Sequence, residues 1–64
     1  MTPKVREIIR RLEQDGWYLV ATRGSHRQYR HPTKPGKVTV AGKPNDQPSE
    51  AIWHSIQKQA GWRL

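Results

Sequence analysis

The sequence predicts an α+β fold of two layers: a helix, three antiparallel strands and a second helix, with both helices on one face of the sheet. Apolar residues recur at helical spacing near both ends of the chain, and stretches rich in aromatic and β-branched residues fill the middle. Glycine, proline or a capping residue marks each boundary. With 64 residues, no linker and no internal repeat, the chain is expected to form one domain spanning residues 1–64. A domain this small buries only about 60% of the surface its unfolded chain exposes, so its core must be thin.

The first helix is read from Val5, Ile8, Ile9 and Leu12, which fall at i, i+3, i+4 and i+7 and form one apolar stripe. Thr2 is expected to cap it, Pro3 to occupy its first position, and Gly16 to end it. Trp17–Thr22 and Ser25–His31 read as a hairpin around an Arg23-Gly24 turn. The cluster Pro32, Thr33, Lys34, Pro35 and Gly36 breaks the second strand, and Val38-Thr39-Val40 forms a third. Gly42–Pro48 has the composition of a loop. Ser49 then caps a second helix, in which Ile52, Ile56 and Ala60 share a stripe, Trp53 adds bulk beside it, and Gly61 ends it.

No run of eighteen apolar residues occurs and the N-terminus leads straight into an amphipathic segment, so the expectation is a soluble, cytoplasmic protein with no membrane role. Cysteine is absent, which excludes disulfide staples and a thiolate metal site. Three histidines without the close paired spacing of zinc ligands predict no metal and no cofactor. The net charge is +7 and it is segregated. Arg23, Arg27, Arg30, Lys34, Lys37 and Lys43 lie in a stretch from 23 to 43 without one carboxylate, whereas the rest of the chain holds six basic and five acidic residues. Such a stretch attracts polyanions, RNA and DNA first, because neutralising phosphates releases counterions. The plainer alternative is a solvated basic surface kept for solubility.

Strand alternation sorts the second strand into two sets. Tyr29 is its one large hydrophobic side chain, so Ser25, Arg27, Tyr29 and His31 should lean towards the helices, while His26, Gln28 and Arg30 project from the open face. His31, ahead of Pro32, then reads as a packed or turn-stabilising residue, and His54 as a surface residue of the second helix. Trp17 and Trp53 read as core; Trp62 packs back on the domain or contributes to a partner interface. Ser25 and His26 cannot be a nucleophile–base pair, since adjacent strand residues face opposite sides.

The segment Gly24-Ser25-His26-Arg27-Gln28-Tyr29-Arg30-His31-Pro32 resembles the Gly-x-His-Arg-x-Tyr-x-His-Pro segment of the HicA toxins of bacterial toxin–antitoxin pairs. The resemblance extends to Asp15-Gly16-Trp17, to Val38-Thr39-Val40 and to the helix end Ser55–Gly61, covering the chain from about Val5 to Gly61. It implies a double-stranded-RNA-binding-like fold, an RNA-cleaving toxin (an mRNA interferase) whose catalytic histidine corresponds to His26, and a HicB-type antitoxin that covers the active site. Where many members carry Pro-x-His after the third strand, this chain has Ala41-Gly42-Lys43, so a second histidine is missing.

The chemistry of His26 accords with that implication. Imidazole titrates near neutral pH, and it can take the proton of an RNA 2′-hydroxyl and return one to the leaving oxygen. RNA carries its own nucleophile, so a metal-independent ribonuclease needs little beyond a placed base and cations around the phosphate. Arg23, Arg30, Lys34, Lys37 and Lys43 are the candidate backbone contacts, and Gly24, Ser25 and Gln28 complete the expected RNA-binding set. Two readings compete with the enzyme: a non-catalytic RNA-binding module of the same fold, recognising RNA by shape and 2′-hydroxyl contact, and a protein whose basic face chiefly docks an acidic antitoxin.

Overall fold

A computed structural model describes residues 1–62 and shows the expected order: α1 (Val5–Gln14), β1 (Tyr18–Arg23), β2 (His26–Arg30), β3 (Val38–Ala41) and α2 (Glu50–Ala60). The strands form one antiparallel sheet in the order β1-β2-β3. Val5, Ile8 and Leu12 of α1 and Ile56 and Ala60 of α2 pack with Trp17, Tyr29, Val38 and Val40 into one buried cluster. Tyr29 pairs with Val38 and Arg27 with Val40, so these four share a sheet face, and the burial of all but Arg27 identifies it as the helix-covered one.

Local chemistry explains most boundaries, and tertiary contacts explain the rest. The expected Thr2 cap and Pro3 first turn are not found. Lys4 is the N-cap residue, its amide donating to the Glu7 carboxylate at 3.3 Å. The first helical amides are satisfied from across the fold, Val5 N–H by the Asp46 carbonyl at 2.8 Å and Arg6 N–H by the Pro44 carbonyl at 3.0 Å. Thr2 instead donates its hydroxyl to the Pro48 carbonyl. The Gly42–Pro48 loop thus caps α1, which local sequence could not reveal. In α2 the expected cap is present: Ser49 Oγ accepts the Ile52 N–H at 3.2 Å. Ile52 itself is half exposed, because Trp53 and the buried Gln57 take the inward positions beside Ile56 and Ala60.

The hairpin turn lies one residue later than expected, at Gly24-Ser25, with Arg23 paired to His26. Gly24 has φ 57 and, among the described residues, no non-glycine residue has a positive φ, the pattern of a type II′ turn with glycine first. β1 carries a bulge between Leu19 and Ala21. The extra residue sits in β1, so the alternation of β2 is undisturbed.

Both helices end alike. Gly16 N–H bonds the Glu13 carbonyl and Trp17 N–H the Leu12 carbonyl; Gly61 N–H bonds the Lys58 carbonyl and Trp62 N–H the Gln57 carbonyl. These are Schellman closures, each delivering a tryptophan just past the helix. Gly16 has φ 101, and a Cβ there would lie 2.8 Å from His31 Nε2. Gly16→Ala combines backbone strain with that clash, so it should cost about 2–3 kcal/mol. A thermal denaturation midpoint within a degree or two of the parent would contradict this account.

Candidate functional site

Cross-strand pairing places the candidate residues. His26 pairs with Arg23 on one side and Ala41 on the other, Gln28 with Ala21 and Thr39, and Arg30 with Tyr18. All of these belong to the face opposite Tyr29. His26, Arg23 and Arg30 are exposed and Gln28 is half-buried. The imidazole therefore stands on the open sheet face with an arginine beside it and another two positions beyond Gln28. From Gly16 to Asn45, a span that includes the whole sheet, the chain holds no carboxylate.

The loop after β3 closes in at the His26 end. Gly42 N–H donates to the Ser25 carbonyl at 3.2 Å, and Arg27 Nη1 donates to the Gly42 carbonyl at 2.8 Å. Gly42 is thus held on both sides, which brings Gly24, Ser25 and Lys43 to the same end of the sheet as His26. Lys43 N–H is in turn tied to Asp46 Oδ2 at 2.9 Å. Arg27 is the residue that sequence reasoning passed over. Its signal was present, because a guanidinium on the helix-covered face must find acceptors, and a loop carbonyl supplies one.

Lys34 and Lys37 lie elsewhere. They belong to the loop between Arg30 and Val38, at the opposite end of β2 from His26. Lys34 has partners of its own within the fold: its ammonium is bonded to Asp15 Oδ2 at 2.6 Å and to the Ala60 carbonyl at 3.2 Å. Lys37 is exposed and keeps its place in the candidate set.

Asp15 is a second residue whose role the linear pattern hides. Its Oδ2 accepts from Lys34 Nζ, from Trp17 Nε1 at 3.0 Å and from Trp62 Nε1 at 3.0 Å. The Lys34 ammonium, aided by the Trp62 and Trp17 indoles and opposed by burial, holds the carboxyl at about 2 against an ordinary 3.8. Arg11 stacks over the Trp62 ring at 4.4 Å. His31 belongs to this knot. Its Nδ1 accepts the Thr33 and Lys34 amides, each at 3.1 Å, which leaves Nε2 as the protonated nitrogen, 2.7 Å from the Asp15 carbonyl. Its ring meets Trp17 edge-on at 5.2 Å. His31 is a packed turn histidine and His54 is exposed on α2.

A groove of about 560 Å³ runs along α2, lined by Ala51, His54, Ser55, Lys58 and Trp62. None of the candidate residues lines it. The face that carries His26 is open, a shape that accommodates a chain more readily than an enclosed small molecule. Among the described residues no three His, Cys, Asp or Glu side chains converge as a metal site, and no helix is long and apolar enough to cross a membrane.

The α-β-β-β-α order, with a three-stranded antiparallel sheet and two helices on one of its faces, is the layout of double-stranded-RNA-binding-like domains. A family model described as the HicA toxin of bacterial toxin–antitoxin systems matches residues 5–62. The chain belongs to the HicA toxin family, and membership implies an antitoxin partner. No curated protein matches it.

Proposed function

We propose that this chain is a metal-independent endoribonuclease toxin that acts in the cytoplasm on mRNA, with His26 as its catalytic residue and a HicB-type antitoxin as its inhibitor. The observation that carries the reading is the exposed imidazole on a sheet face that bears Arg23 and Arg30 and no carboxylate. An RNA strand laid across this face has its phosphates near Arg23, Arg30 and Lys43, with Lys37 further along. Gly24, Ser25 and Gln28 border the strand beside His26. His26 removes the 2′-hydroxyl proton as the oxygen attacks the adjacent phosphorus, and the protonated ring returns a proton to the departing 5′-oxygen. The cations stabilise charge on the phosphorane-like transition state. The products are a 2′,3′-cyclic phosphate and a 5′-hydroxyl end.

The test is incubation of the purified, antitoxin-free chain with defined RNAs and identification of the new ends. Cyclic phosphate termini are expected. If a broad range of RNAs stays uncut while still binding, the domain is a non-catalytic RNA-binding module, a reading kept open by Lys43 standing where many relatives have histidine.

The placement of the lysines yields a separate expectation. Each cation that neutralises a single-strand phosphate contributes about 0.7 to the slope of log Kd against log salt. Combined Arg30→Ala and Lys43→Ala substitutions should therefore flatten the slope by about 1.4. Lys34→Ala should leave the slope unchanged and lower the melting temperature. The reverse pattern, with Lys34 carrying the salt dependence, would remove the basis for separating these lysines.

A further inference from the structure

β1 is an edge strand whose six residues are all exposed. Tyr18, Leu19 and Val20 are exposed to 51%, 51% and 49%, so three consecutive large apolar side chains reach solvent at this edge, Tyr18 on the open face, Leu19 at the rim of the helix-covered face opposite Tyr29, and Val20 at the bulge. Antiparallel alternation turns the N–H and C=O of every second β1 residue away from β2. The opposite edge of the sheet is guarded: Val38 and Val40 of β3 are buried, and the Thr39 N–H is taken by Gln59 Oε1 at 3.0 Å. β1 has no comparable cover among the described residues, and an uncovered edge of this kind is a template for strand addition.

We propose that the outer edge of β1 receives an extended segment of an acidic protein partner as a fourth strand of the sheet. Three features select this occupant. A fourth strand satisfies the outward backbone groups and covers Leu19 and Val20, which RNA, with neither a peptide ladder nor an aliphatic surface, does not. A second copy of this chain brings its own carboxylate-free sheet and a net charge of +7 against the first, so like charges oppose that pairing. Arg23 at the end of β1 and Arg30 across from Tyr18 flank the edge, and both favour carboxylates on the incoming strand. The partner implied by family membership is itself a protein. The inference does not depend on RNA cleavage, since β1's outer edge is distinct from His26.

The experiment is amide hydrogen exchange on the isolated chain, titrated with a synthetic peptide alternating glutamate and valine and, separately, with one alternating glutamate and serine. Slowed exchange at β1 amides with the valine peptide, and weaker binding of the serine peptide, are expected. The Leu19→Thr/Val20→Thr variant, which keeps the charge and strand preference, should bind the valine peptide about tenfold more weakly. Its melting temperature and RNA cleavage should match the parent's, because neither residue is in the core or the catalytic set. Equal binding of both peptides, or protection confined to the His26 face, would reduce the effect to charge attraction and overturn the proposal. So would an absence of β1 protection with either peptide. Self-association that protects β1 without peptide would give the edge to a second copy, and protection of the same amides by single-stranded RNA would give it to nucleic acid.

Discussion

A His26→Ala chain should be folded, should bind RNA nearly as well as the parent, and should cut it about 10²–10⁴-fold more slowly, the range general acid–base catalysis supplies. Folding is preserved because His26 is exposed and absent from the buried cluster, and surface substitutions of that kind change stability by no more than about 0.5 kcal/mol. Affinity should be preserved because charge contacts with phosphate dominate binding of this kind, and the proposed contacts Arg23, Arg30 and Lys43 are untouched. Growth inhibition should vanish with cleavage. The decisive measurement is the single-turnover rate on a defined RNA, read beside the binding constant at the same salt concentration. A variant that cuts at the parent's rate would leave the imidazole without a catalytic part; one that loses binding and cutting together would make it a contact residue.

Asp15→Ala should produce the largest loss of stability from a polar substitution. It removes the acceptor shared by Lys34, Trp17 and Trp62, leaving two indole N–H groups and an ammonium short of a partner in a partly buried setting. The expected cost is about 2 kcal/mol. For a domain of this size that lowers the melting temperature by roughly 8–16 °C. The same carboxylate makes stability depend on acidity. Its pKa is depressed in the fold, from 3.8 to about 2, so its contribution is complete above the unfolded value and disappears as pH falls from about 4 towards 2. With the carboxylate side chain still 30% exposed, solvent screening limits this charge-linked part to about 1–2 kcal/mol. Thermal melts between pH 5 and pH 2 should fall more steeply for the parent than for Asp15→Ala. Parallel curves would show that another carboxylate governs acid sensitivity.

The legible parts of the fold were those set by neighbours in sequence. Val5, Ile8 and Leu12 declare a helix face by spacing alone, and Tyr29 alone orients β2, which also placed His26 and Arg30 on the open face. The turn slipped by one residue because Arg23-Gly24 and Gly24-Ser25 both offer a glycine; the positive φ of Gly24 in first position decides between them. What stayed hidden was held by distant partners. The cap of α1 comes from carbonyls some forty residues away. Lys34 beside a proline-glycine turn looked free until Asp15, 19 residues earlier, was found against it. Arg27 was counted as charge, and its bond to the Gly42 carbonyl, 15 residues on, turns it into a brace for the loop beside His26. Ile52 fitted the α2 stripe by periodicity, but a helix buries the residues that its neighbours cover.

The meeting of both helix ends at one carboxylate also bears on biosynthesis. Asp15 leaves the ribosome 47 residues ahead of Trp62, so a growing polypeptide cannot close this fastening until both helices have emerged. A nascent chain halted before α2 would lack one of the three donors at Asp15, together with Ile56 and Ala60, which complete the interior. The sheet and α1 would thereby wait for α2 before the interior is sealed.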